Sequence, residues 1–236
     1  MTDIQNNLKI VLQNIRNAEI RAGRKEGSVR LLAVSKFHPV EQIKETLEAG
    51  QLMYGENRVQ EACQKFQILN QEYKDIDLHL IGQLQTNKVR QIVKYASTIE
   101  SVDRNELLDE IEKQCAKITR KIRIFFELHT GEESKSGYES KEQIDSALKQ
   151  FTENKYPHII PCGFMTMAPF TQDKSLIRKS FNTLKTVANE LQIKYPMYKL
   201  DELSMGMSND YETAIEEGST IVRIGTAIFG ERNYNK

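Results

Sequence analysis

Arg30–Lys36, RLLAVSK, runs four apolar residues without a break into a Ser-Lys pair, and His38-Pro39 turns the chain directly afterwards. A short apolar run ended by a turn signal reads as a buried strand. Lys36 then sits at its C-terminal tip. An ammonium beside a packed core is costly to desolvate, so such a lysine either reaches solvent or has its pKa lowered. A lysine with a lowered pKa is a nucleophilic amine suited to Schiff-base chemistry with an aldehyde.

Working outward, residues 3–22 carry Ile4, Leu8, Val11, Leu12, Ile15 and Ile20 at helical spacing, closed by Gly23 and Gly27. Beyond Lys36, strands are predicted at 52–54, 78–81, 98–102, 122–128, 159–165, 203–205 and 220–224. Helices are predicted between them at 41–49, 58–71, 87–96, 104–118, 140–153 and 173–194. A last helix is capped by Ser208-Asn209-Asp210 and ends at Gly218, and Asp103 reads as the N-cap of the helix at 104–118. Regular βα alternation with buried strands argues for a parallel sheet covered by helices. Eight such units in 236 residues favour closure into a single (β/α)8 TIM barrel over a doubly wound sheet, with one extra N-terminal helix. No linker or composition shift divides the chain, so residues 1–236 read as one domain.

Bulk properties exclude several classes. Lys+Arg and Asp+Glu are equal at 33 each, so no net field favours nucleic acid or an acidic membrane. No apolar run approaches the roughly 18–20 residues that span a bilayer, and the N-terminus lacks a secretory apolar core. Cys63, Cys115 and Cys162 are widely spaced, matching reduced thiols in a cytoplasmic protein rather than disulfides or zinc ligands. His38, His129 and His158 have no partner at metal-ligand spacing, so no metal site is expected, and His79 inside an apolar strand reads as a core histidine.

In such barrels function collects at the C-terminal ends of the strands, with phosphate commonly bound after strands 7 and 8. Those loops read LSMGMSND (203–210) and RIGTAIFG (223–230). Gly206 and Gly225 permit close backbone approach, Ser204, Ser208 and Thr226 offer hydroxyls, and a helix starting near Ser208 would direct N–H groups at an anion. Closure sets strand 8 beside strand 1, and so Lys36 beside this cradle. An aldehyde-reactive lysine next to a phosphate site points to pyridoxal phosphate, or to a sugar phosphate held as a Schiff base. Arg223 offers only donors and does not deprotonate. Facing a pyridine nitrogen, it would keep that nitrogen unprotonated and weaken the ring as an electron sink. Asn57, at the tip of strand 2, is either a ligand of the cofactor's phenolic oxygen or the N-cap of the following helix.

At these residues the chain resembles the pyridoxal-phosphate homeostasis protein family, single-domain relatives of the alanine racemase N-terminal barrel. The resemblance runs through AVSK (33–36), YGENRVQEA (54–62), HLIGQLQTNK (79–88), EESKSG (132–137), GFMTMAP (163–169), LSMGMSNDYETAI (203–215) and VRIGTAIFG (222–230). It implies a Schiff base between pyridoxal 5'-phosphate and Lys36, and a phosphate held by Ser204 or Ser208 with Gly225 and Thr226. It also implies Arg223 facing the pyridine nitrogen. The sequence departs from the family pattern at Leu78, Gln83 and Phe126–Leu128, which places the differences on the walls near strands 3 and 5.

The function expected is a non-catalytic carrier that buffers the cofactor, delivers it to apoenzymes and influences amino-acid and keto-acid balance. A racemase-like enzyme is the alternative. The related racemases draw a tyrosine from a separate β domain, which this chain, ending at Lys236, does not show; Tyr54 and Tyr138 are the candidates within it. A lysine-dependent sugar-phosphate aldolase ranks last, because such barrels usually place their lysine on a later strand. No apolar interface is evident, so a monomer is expected.

Overall fold

The computed structural model describes residues 1–131 and 136–231. Eight parallel strands close into a barrel in chain order, with the last hydrogen-bonded to the first. They are β1 (Arg30–Val34), β2 (Met53–Glu56), β3 (Asp77–Leu80), β4 (Thr98–Val102), β5 (Ile122–Glu127), β6 (Ile159–Met165), β7 (Glu202–Ser204) and β8 (Ile221–Ile224). Helices α1 (Asp3–Arg21), α2 (Val40–Glu48), α3 (Val59–Glu72), α4 (Val89–Ile92), α5 (Asn105–Lys117), α6 (Lys141–Thr152), α7 (Lys174–Lys194), α8 (Tyr211–Glu217) and α9 (Thr226–Phe229) cover the outside. This is the TIM barrel expected, including its extra N-terminal helix.

The period-2 alternation of strand side chains divides the core in two. Leu31 and Ala33 join Tyr54, Leu78, Leu80, Ile99, Ile124 and Phe126 in the layer between strands and helices. Leu32, Val34, Met53, Phe125, Met165 and Ile221 form a separate cluster inside the barrel. Lys36 continues the inward series of Leu32 and Val34. At the closing seam Leu32 pairs with Arg223 and Ala33 with Ile224, which sets the Lys36 and Arg223 segments side by side.

The helix after β8 is a single turn, and α1 makes up the missing cover by packing against α9, α8 and α2. The Asn7 amide donates to the Ile228 carbonyl at 3.2 Å. At the other end of α1 the buried Glu19 carboxylate accepts the N–H groups of Gly27 (2.9 Å) and Val29 (2.6 Å), tying the helix to the entry of β1.

Local departures from the sequence expectations have local causes. Residues 87–96 form one 3₁₀ turn (Thr86–Lys88) and the one-turn α4 instead of a long helix, because Val89, Ile92 and Val93 are already buried by that single turn. Asp103 does not cap α5. Its carboxylate pairs with the Arg104 guanidinium, and Arg104 takes the N-cap position with no side-chain cap. Lys36 lies in a turn two residues beyond the end of β1 rather than in the strand. Glu132–Lys135, the greater part of the EESKSG motif, lie outside the described residues.

Gly163 carries the approach of β6 to β7: an added Cβ would lie 2.0 Å from the Glu202 carbonyl oxygen. Gly163→Ala is expected to force the strands apart and cost about 1–3 kcal/mol, measured as a lower urea midpoint at constant slope.

Candidate functional site

A cavity of about 310 Å³ opens at the C-terminal end of the barrel, a volume in the range that holds a small ligand. Lys36, Asn57, Ser208, Arg223, Gly225 and Thr226 all line it. Ser204 does not. It is fully buried beneath the cavity, where its hydroxyl donates to Glu100 Oε2 at 2.5 Å and accepts from Arg223 Nη1 at 2.8 Å. Of the two serines expected near an anion, only Ser208 faces the cavity.

The ends of the strands place the lining. Val34 ends β1 and Lys36 follows it two residues on, Met165 ends β6, and Arg223 lies on β8 with Gly225 directly after the strand. Asn57 is not the N-cap of α3; Arg58 holds that position without a side-chain cap. An added Cβ on Gly82 would lie 2.3 Å from the Asn57 carbonyl oxygen, so the β3 loop packs directly on the Asn57 backbone. Gly225 is similarly close to β1: a Cβ would lie 2.9 Å from the Val34 carbonyl oxygen. The helix expected from Ser208 begins at Tyr211, and the Asp210 carboxylate accepts the Met207 N–H at 2.6 Å, closing the preceding turn on itself.

Arg223 is 4% exposed. Its Nη1 also donates to the Ser204 carbonyl at 2.7 Å, and Nη2 donates to the Thr166 carbonyl at 2.8 Å. These charge-assisted bonds offset the desolvation of the guanidinium and orient its plane.

The turn bearing Lys36 is held from outside the barrel. Phe37 adopts φ +67°, a conformation seldom taken by residues other than glycine. Its N–H donates to Glu61 Oε1 at 2.5 Å. Lys65 Nζ donates to the Ser35 carbonyl (2.7 Å), to Glu56 Oε1 (3.0 Å) and to Glu61 Oε1 (2.6 Å), and the Ser35 hydroxyl donates to Glu56 Oε1 at 2.7 Å. Burial pushes the Glu56 carboxyl up to about 6, against the pull of Lys65.

Several lining residues were not among the candidate cofactor ligands, although Gln83 and the 126–128 stretch were placed on the walls near strands 3 and 5. His38 lines the cavity, stacks on Phe229 at 4.9 Å and shares a 2.9 Å hydrogen bond with Gln42. Gln83 and Glu127 also line it, and Glu127 Oε1 accepts the Ser136 hydroxyl at 2.7 Å. Strand parity would have separated Glu127 from Phe126 and Leu128, which join the outer core. Tyr54 and Tyr138 lie outside the lining: Tyr54 shares a hydrogen bond with Thr46 at 2.7 Å, and Tyr138 donates to Asn105 at 3.2 Å. Among the described residues no cluster of His, Cys, Asp and Glu has the arrangement of a metal site, and no helix is long and apolar enough to cross a membrane.

Residues 7–233 match the family model described as alanine racemase, N-terminal domain. A pyridoxal phosphate homeostasis protein of Aquifex aeolicus is 43% identical over 232 residues, covering 96% of this chain and 97% of that protein. The structure of PipY from Synechococcus elongatus with PLP bound superposes with a TM-score of 0.79 at 35% identity, covering 91% of this chain and 98% of that one. An alanine racemase of Clostridium difficile shares the fold at 18% identity and a TM-score of 0.75, over 98% of this chain and 58% of the racemase.

Two outcomes are expected for the network behind Lys36. Lys65→Met leaves two facing carboxylates without their cation and is expected to cost about 3–5 kcal/mol in urea unfolding near neutral pH. Glu56 binds its proton more tightly folded than at its ordinary value of 4.5, so its contribution is fully present below pH 4.5 and is lost as pH rises through about 6. Between pH 4 and 7 the wild type should therefore lose about 2 kcal/mol more stability than Glu56→Gln, read as the difference between their urea midpoints.

Proposed function

The chain belongs to the alanine racemase N-terminal domain family and, within it, to the pyridoxal phosphate homeostasis proteins, and we propose that it binds pyridoxal 5'-phosphate through Lys36. The observation that carries this reading is the meeting of Lys36, Arg223, Ser208, Gly225 and Thr226 in one cavity. The cofactor contributes an aldehyde, a phosphate and a pyridine nitrogen, and the lining offers a group suited to each. Lys36 would carry the aldehyde as a Schiff base, its amine nitrogen forming the C=N bond with loss of one water. Ser208, Thr226 and the backbone at Gly225 would hold the phosphate, and the Asn57 amide the phenolic oxygen. Arg223 would face the pyridine nitrogen and, as a permanent donor, keep that nitrogen unprotonated. The name and the bound ligand of the relatives support pyridoxal 5'-phosphate as the ligand.

The role is that of a non-catalytic, cytoplasmic carrier working as a monomer, which buffers the cofactor and passes it to apoenzymes. Two features favour a carrier over an enzyme. A donor-only partner at the ring nitrogen weakens the electron sink that amino-acid chemistry draws on. The tyrosines weighed as a second acid/base, Tyr54 and Tyr138, are both buried outside the cavity lining. The racemase-like reading rests on Glu127, a carboxylate in the cavity wall.

Borohydride reduction of the protein loaded with pyridoxal 5'-phosphate is expected to leave one covalent label, on Lys36, and Lys36→Ala is expected to abolish it. Label on another lysine overturns the assignment. Incubation of the loaded protein with individual L-amino acids in deuterium oxide separates the two roles: absence of α-deuterium exchange supports the carrier, and exchange lost in Glu127→Gln supports the enzyme.

A further inference from the structure

Beneath the cavity floor a line of charged groups crosses the barrel interior. Arg123 Nη2 donates to Asp77 Oδ1 at 2.6 Å. Asp77 Oδ2 lies 3.4 Å from His79 Nε2, an ion-pair distance without hydrogen-bond geometry, and His79 Nδ1 meets Glu100 Oε1 at 2.5 Å. The second oxygen of Glu100 takes the Ser204 hydroxyl at 2.5 Å, and the Ser204 oxygen in turn accepts from Arg223. His79, Glu100 and Ser204 are each at most 1% exposed. Fully buried charges in this number are rare and persist when each is balanced by its neighbours.

We propose, building on the assignment of Arg223 to the cofactor ring, that Glu100 is a positioning residue that sets the orientation and effective charge of Arg223 through the Ser204 hydroxyl. The direction of each hydrogen bond follows from the ends of the chain. Arg223 only donates, so the Ser204 oxygen must accept from it and hand its own proton to Glu100. A carboxylate accepts at both oxygens, so Glu100 receives Ser204 on one side and the His79 Nδ1–H on the other. His79 Nε2 then carries its proton toward Asp77. Burial would lower the His79 pKa, but the facing carboxylates of Glu100 and Asp77 outweigh it and hold it raised. Burial opposes ionisation of Glu100 as well, yet His79, Arg223 and Ser204 together keep it ionised. The line therefore alternates in sign from Arg123 to Arg223, and the last cation in it is the one facing the cavity.

Glutamine at position 100 has one acceptor and one donor, so it serves Ser204 or His79 as the carboxylate does, but not both. Two measurements test the proposal. In the unloaded protein, nitrogen-15 NMR of the histidine side chains should show the His79 midpoint raised above its ordinary value, and that midpoint should fall at least tenfold in proton affinity in Glu100→Gln. A wild-type His79 titrating near its ordinary value overturns the proposal.

In protein loaded with pyridoxal 5'-phosphate, Glu100→Gln leaves Arg223 less neutralised. The pH midpoint of its visible absorption is expected to shift downward by about tenfold in proton affinity. Ser204→Ala cuts the same link without removing a charge. It is expected to move that midpoint in the same direction, and it keeps the test open should Glu100→Gln fold poorly. Borohydride label retained on Lys36 with an unmoved midpoint in both variants overturns the positioning role alone. Absence of label in the wild type overturns the cofactor assignment and the proposal with it.

Discussion

An isolated guanidinium in a protein interior is among the costliest groups to desolvate, and Arg223 sits almost wholly out of water at the inner end of the cavity. The barrel around it is arranged to make that burial tolerable. Two carbonyls, from Thr166 and Ser204, converge on its nitrogens from the strand ends beside it. Behind them Glu100 brings a compensating negative charge as far as the Ser204 hydroxyl. Glu100 in turn is balanced by His79, and His79 by Asp77, which Arg123 also holds, so the charge of Arg223 is embedded in a line of alternating sign.

The amine on the other side of the cavity is fixed by an independent set of contacts. Lys36 stands in a turn that begins where the Ser35 N–H donates to the Gly55 carbonyl of β2 at 3.1 Å, and Glu61 and Lys65 on α3 grip the backbone on either side of it. Lys36 is therefore positioned from the helix layer and Arg223 from the barrel interior. The side chains named for the two supports are different, although the segments themselves are paired along the β1–β8 seam.

The barrel was legible in the sequence because its signal repeats: each buried strand is short, apolar and followed by a helix that ends at a turn. Closure followed from the number of units. Strand and helix limits agreed within a residue or two except at 87–96, where one turn already buries the apolar face, at the helix expected from Ser208, which begins at Tyr211, and at the single turn Thr226–Phe229, which was not expected. At the cavity, Lys36 was readable because an apolar run ends beside it at a His-Pro turn, and Arg223, Ser208 and Thr226 because their loops carry Gly206 and Gly225 at the ends of strands. Ser204 was misplaced by the same logic. Its loop is right, but its parity along β7 points it to Glu100 rather than to the cavity. The network around Lys65 and the pairing of His79 with Glu100 left no sequence signal, since their partners lie on different strands or helices and meet only in the folded barrel.

The seam between β1 and β8 joins segments separated by nearly two hundred residues. Contacts of such long sequence separation form late in folding, and a chain emerging from the ribosome makes its N-terminal elements first. The amine is synthesised early, yet the walls that would let it retain an aldehyde are absent until the final strand has been translated and docked. Incomplete translation products thus carry Lys36 without the compartment around it. The complete cavity is a property of the closed barrel, and the fold itself acts as the checkpoint for it.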